Sequence, residues 1–142
     1  MPRILTTKQR IAKPPLIVWG HLADTRAMAK WMPGVRAIDT ADESGHLREG
    51  SIVLFRARGA ERQSEVLDCE APSLLTLRAS QGDFTATYRY SLEPAENGTL
   101  VTLQVDCSAT GMARLMLPLI MMAIWMADGR QLRRLRRAVE AA

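Results

Sequence analysis

The chain has 142 residues, 47% of them apolar and 24% charged, with 19 basic against 15 acidic side chains and a net charge of +4. That length accommodates one domain, residues 1–142, with a substantial core, and the composition sets aside low-complexity and repeat architectures. The two cysteines, Cys69 and Cys107, form no CxxC and have no histidine at metal-ligand spacing, so no metal and no cofactor is expected. The stretch Met1–Lys8 lacks a signal-peptide apolar core, which leads us to expect a cytoplasmic protein with reduced thiols.

Residues 3–12 read as a first strand, rich in β-branched residues. Lys13-Pro14-Pro15 breaks it, and the prolines suit the turn into a helix with an apolar stripe of Leu16, Val18, Trp19 and Leu22. Asp24 or Thr25 can cap a second short helix running through Met28 to Trp31, ended by Pro33-Gly34. From Val35 the hydrophobic period changes to two. Val35–Thr40 is the second strand and Glu43–His46 a turn. The third strand starts at Gly50, with Val53, Phe55 and Ala57 on one face and Arg56 and Arg58 on the other.

Glu61–Glu70 is the fourth strand and Leu74–Ser80 the fifth, with Leu75, Leu77 and Ala79 on one face. The sixth alternates most clearly: Phe84, Ala86, Tyr88, Tyr90 and Leu92 against Thr85, Thr87, Arg89, Ser91 and Glu93. Asn97-Gly98 signals a hairpin, and the seventh strand shows Val101, Leu103, Val105 and Cys107 on one face. By the same parity Arg56, Arg78 and Arg89 belong to the wet face.

The stretch 111–142 reads as one long helix. Its run Leu115–Ala127 is 13 residues, too short for a bilayer span of about 20, so no transmembrane segment is expected. A helix apolar on all faces must be buried by protein. Five methionines between Met112 and Met126 suit irregular apolar contents. Beyond them Arg130, Arg133, Arg134, Arg136 and Arg137 make a basic end. A meander of strands has one dry face, and this helix is the element long enough to cover it. Space left between them would be apolar with a few polar tips.

The segments Ile11–Trp19, Leu22-Ala23-Asp24, Trp31–Val35, Tyr88–Pro94, Asn97-Gly98-Thr99 and Leu132–Glu140 resemble the START-like, birch-pollen-allergen-like superfamily, also written SRPBCC. The chain is most similar to its bacterial polyketide cyclase/dehydrase-type members. The resemblance spans nearly the whole chain. It implies an α+β helix-grip fold: a seven-stranded antiparallel sheet curled around a long last helix, with two short helices after the first strand. Such members bind lipids, sterols or polyketides between sheet and helix, and some cyclise or dehydrate polyketides. It also implies that the fourth and seventh strands are separated, which keeps Cys69 and Cys107 from bridging.

The chemistry-bearing residues are few. His21 lies in the first helix near the surface, and His46 in a turn. Asp24 reads as a helix cap. Asp128 marks where the last helix meets solvent. Tyr88 and Tyr90 share the dry face and are the candidates for polar ligand contact. In relatives the region of Trp31 and Met32 borders the cavity mouth, which makes these two gate residues. The terminal arginines come without an aromatic platform, so no nucleic-acid partner is expected.

The expected function is binding of a hydrophobic small molecule: a lipid, polyketide or aromatic compound. Its walls are Phe55, Leu77, Phe84, Tyr88, Tyr90, Leu103, Leu119, Met122 and Met126, with Trp31 and Met32 at the mouth. The alternatives are a polyketide cyclase or dehydratase using Tyr88 or Tyr90, and an accessory protein that docks through its basic helix end. Catalysis and homodimer formation are left open.

Overall fold

A computed structural model describes residues 3–23, 31, 35–40, 47–57, 60–81, 84–111 and 131–141; at 3–4, 35–40, 54–57, 60–62, 81 and 131 it describes the backbone alone. The elements are β1 (Arg3–Ile11), α1 (Pro15–Leu22), β2 (Val35–Thr40), β3 (Ile52–Ala57), β4 (Ala60–Glu70), β5 (Leu74–Gln81), β6 (Phe84–Ala95), β7 (Gly98–Ala109) and α2 (Gln131–Ala141). The second short helix anticipated after Asp24 and the apolar run 115–127 lie outside the described residues.

The strands form one curled antiparallel sheet in the order β1-β7-β6-β5-β4-β3-β2. Six of these strands follow one another as a meander. β1 closes on the far side, pairing with β7 from Arg3↔Asp106 to Ile11↔Thr99. β4 and β7 are therefore separated by β5 and β6, and both cysteines are free thiols.

Alternation sets the two faces, and one bulge keeps them consistent. Val66 pairs with Leu77, yet Asp68 pairs with Thr76 and Cys69 with Leu75. Strict alternation from Val66 would turn Asp68 to the inner face. The extra residue, Leu67, reverses the parity, so that Cys69 faces inward with Leu75 instead.

The β6–β7 corner differs from the Asn-Gly turn of the sequence reading. Ala95 pairs with Gly98, so Glu96 and Asn97 occupy the corner, with Asn97 at φ 60°. Gly98 already belongs to β7. A Cβ there would lie 2.2 Å from the Ile11 carbonyl oxygen, and that close approach is what requires glycine.

Residues 10–14 fasten three elements at this end. The Thr99 hydroxyl donates to the Lys13 carbonyl at 2.7 Å, and the Arg10 guanidinium to the Glu96 carbonyl. The Ala12 N–H donates to Glu140 Oε2 at 2.9 Å, tying β1 to the last turn of α2. The helix α1 begins as its prolines dictate. Pro14 is the extended N-cap residue, Pro15 follows, and the Pro14 carbonyl accepts from Ile17 and Val18.

The stripe anticipated on α1 is corrected in part. Val18 and Leu22 are buried and Trp19 is half-buried, but Leu16 is 69% exposed. Val18 and Leu22 stand one turn apart and define the inward face; Leu16, two residues from Val18, projects well away from it. On α2, Leu132, Leu135 and Val139 make the inward face and join Leu5, Ile11, Val101 and Leu103 in one core cluster.

Candidate ligand-binding site

The inner face is built from rows of side chains that cross the strands. One row runs Leu5–Val105–Tyr88–Leu77–Val66, and the next Thr7–Leu103–Tyr90–Leu75–Cys69. A third runs Cys107–Ala86–Ala79–Ser64–Val53. The first carries large side chains throughout, and the second carries them at Leu103, Tyr90 and Leu75. The third is small from Cys107 to Ser64, a span of four strands, or roughly 14 Å at the usual strand spacing.

Burial along this face is uneven. At one end Tyr90, Leu92, Val101 and Leu103 are sealed. Trp31, only 1% exposed, caps this end by packing edge-on against Tyr90, with ring centroids 6.0 Å apart. Its indole N–H donates to the His21 carbonyl at 3.0 Å, which ties it to the end of α1. Toward the start of β6 the face opens: Ala79, Phe84 and Tyr88 are half-buried, while Ala86 and Cys107 beside them stay buried.

Of the residues expected to line a pocket, the structure brings Leu77, Phe84, Tyr88, Tyr90 and Leu103 together on β5, β6 and β7. Trp31 joins them through Tyr90. Phe55 lies in β3, paired with Ile38 and Arg62, where the backbone alone is described. Met32, Leu119, Met122 and Met126 fall outside the described residues, as do Asp24, His46 and Asp128. The third row of small residues is what the sequence reading missed. The parity of Val53, Ala79, Ala86 and Cys107 was visible and that of Ser64 was not assigned, but their alignment across strands depends on register.

The polar groups on the described inner face are hydroxyls, thiols and, on β1, the Gln9 carboxamide, which donates to the Arg10 carbonyl. Tyr88 and Tyr90 supply phenols, Ser64 a buried hydroxyl, and Thr7 a buried hydroxyl with no hydrogen-bond partner. Burial, with Asp106 adding to it, pushes the Cys107 thiol up to about 11, so it stays protonated near neutrality. Burial and then Glu49 also raise Cys69, whose thiol donates to the Leu47 carbonyl at 3.3 Å. His21 is half-buried with Nδ1 3.2 Å from the Ile17 carbonyl of its own helix, which it meets as a donor when protonated there. Arg78 and Arg89 are exposed on the opposite face, and Arg78 pairs with Glu65 at 2.6 Å. Among the described residues no group of three His, Cys, Asp or Glu side chains is placed to hold a metal ion.

A curled antiparallel sheet with a C-terminal helix packed on its mainly apolar inner face defines a class of α+β proteins. Residues 2–140 match the family described as polyketide cyclase/dehydrase and lipid transport, and the chain belongs to that family. No curated protein matches it in sequence. Solved structures share the fold at low identity. Protein MLL2253 from Mesorhizobium loti superposes with a TM-score of 0.78 at 16% identity, over 97% of each chain. Ara h 8.0201 gives 0.74 at 14%, again over 97% of each chain. DynU16, a protein in the dynemicin biosynthetic locus, gives 0.68 at 18%, over 96% of this chain and 46% of its own.

Proposed function

We propose that the protein binds a hydrophobic small molecule, a lipid, polyketide or aromatic compound, against the inner face of its sheet. The observation that carries this reading is the half-buried trio Ala79, Phe84 and Tyr88, on a face whose other end is sealed core. The ligand would enter there and lie along the small row Ser64–Ala79–Ala86–Cys107. Phe55, Leu77, Leu103 and the phenols of Tyr88 and Tyr90 would flank it. The apolar segment with Leu119, Met122 and Met126 would form its cover, and Trp31 would close the far end against Tyr90. The family's description, which includes lipid transport, supports the ligand class. Each large apolar contact contributes about 1.5–3 kcal/mol before association costs, so a handful suffices for micromolar binding.

The test is a thermal-shift and native mass-spectrometry screen with fatty acids, phospholipids and aromatic polyketides. Ala79→Phe fills the open end with little strain, because Ala79 is half-buried. It is expected to abolish ligand-induced shifts while leaving the ligand-free melting temperature within a few degrees. Met122→Lys is expected to do the same to binding. Unchanged binding in both variants overturns the site. The enzymatic reading draws on the family's cyclase members and on the two phenols. It requires turnover that Tyr88→Phe with Tyr90→Phe removes.

A further inference from the structure

The surface outside the ligand site carries one feature that packing does not explain. The exposed sector of α1 is wholly apolar: Leu16 at 69%, Ile17 at 46% and Gly20. An apolar sector of a surface helix is ordinarily covered. This one is bare, and basic groups stand next to it. The start of α1 abuts the last turn of α2, where Ala12 meets Glu140. Lys13 is near enough to act on the Glu140 carboxylate, and Arg136 pairs with it at 3.3 Å. α1 and α2 pack against each other. The outer face of α2 presents Arg133, Arg134, Arg136 and Arg137, all exposed. Of these four, only Arg136 makes an ion pair among the described residues.

We propose that this end of the molecule docks on an anionic lipid bilayer, with Leu16 and Ile17 entering the headgroup layer and the α2 arginines on the lipid phosphates. Two adjacent aliphatics beside a basic helix face match a surface that is apolar within and negative at its boundary. An acidic protein groove would use the arginines but would not need two bare aliphatics beside them. The docking face lies at the Pro94–Thr99 end of β6 and β7, where the Thr99 hydroxyl meets Lys13. The open end of the inner face lies at Phe84, the other end of β6. Docking therefore does not depend on the ligand reading.

The experiment is co-sedimentation of the full chain with vesicles of phosphatidylcholine alone and of equal parts phosphatidylcholine and phosphatidylglycerol. Binding is expected to the mixed vesicles at low salt, to weaken with added salt, and to be absent from phosphatidylcholine alone. Leu16→Ser with Ile17→Ser should abolish it. Arg133→Glu with Arg137→Glu should lower partitioning by at least about tenfold, since each basic residue near such a surface contributes on the order of fivefold. Melting curves confirm that the variants fold; should either pair fail to fold, the singles Ile17→Ser and Arg137→Gln replace it, each expected to weaken binding severalfold. Ala79→Phe, which blocks the ligand site, should still sediment with mixed vesicles. Failure to bind anionic vesicles overturns the proposal, as does binding that survives loss of the aliphatics. Binding that poly-glutamate competes away equally in wild type and Leu16→Ser/Ile17→Ser assigns the arginines to an acidic protein partner, and likewise overturns it.

Discussion

Two threonines show how the same substitution can act in opposite directions. Thr99 is fully buried and donates to the Lys13 carbonyl; Thr76 is equally inaccessible, but its hydroxyl has no partner. Thr99→Val removes the donor to a half-buried carbonyl and is expected to cost about 1 kcal/mol. Thr76→Val removes an unpaired hydroxyl, keeps the β-branched shape, and is expected to be neutral or stabilising by about 1 kcal/mol. Urea unfolding of both variants checks the pair, and equal losses would contradict the assignment. Gly98→Ala belongs to the same scale. Its methyl meets the Ile11 carbonyl, a backbone atom that cannot swing aside, so a loss of about 3 kcal/mol is expected in the same assay. None of these distinctions was legible in the sequence. Asn97-Gly98 marked a turn, but the glycine's reason is a neighbour 87 positions earlier, and no local pattern carries that information.

Elements were more legible than their contacts. Phe84 to Leu92 alternates because one side of β6 is dry, and the structure keeps that parity across β5, β6 and β7. The pattern broke down where geometry intervened: at the Leu67 bulge, and on α1, where apolar residues on several sides hide which side faces in. On α2 the pattern was unambiguous, because arginines fill the outer face between Leu132, Leu135 and Val139. This helix is also fastened electrostatically. The Ala12 N–H, with Arg136 and Lys13, holds the Glu140 carboxyl below its ordinary value, against a smaller opposing effect of burial. A depressed carboxylate stabilises the fold above its unfolded value, near pH 4.3, and loses that contribution as pH falls through its folded value. Glu140→Gln should therefore lower the melting temperature at neutral pH. The gap from wild type should close progressively below the ordinary carboxylate range. A gap that stays constant down to strongly acid pH would show that Glu140 acts through shape alone.

At the scale of the molecule, closure by β1 is the decisive feature. The meander β2 to β7 can be read from turn signals, but strand parity says nothing about which strands become neighbours. The pairing of β1 with β7 joins residues roughly a hundred positions apart, and no periodicity carries it; the resemblance to a known superfamily implied only that the fourth and seventh strands are separated. The candidate site was half legible for the same reason. Its aromatics could be assigned to a face, whereas the small row appears only when four strands are set in register. This topology gives the two sheet edges unequal support. β1 is covered by α2 and tied at Ala12, while β2 pairs with β3 on one side and, among the described residues, with no strand on the other. Hydrogen exchange should accordingly run fastest in β2 and slowest in β6 and β7, with β1 nearer the slow group despite its edge position. The two functional readings then separate within one measurement, because they occupy opposite ends of β6. A bound apolar ligand should add protection around Leu77–Tyr88 and leave α1 unchanged. Anionic vesicles should slow exchange at Leu16–Gly20 and in α2 with no change near Phe84. Protection that rises together at both ends, with either addition alone, would mean that ligand site and docking face are one coupled unit.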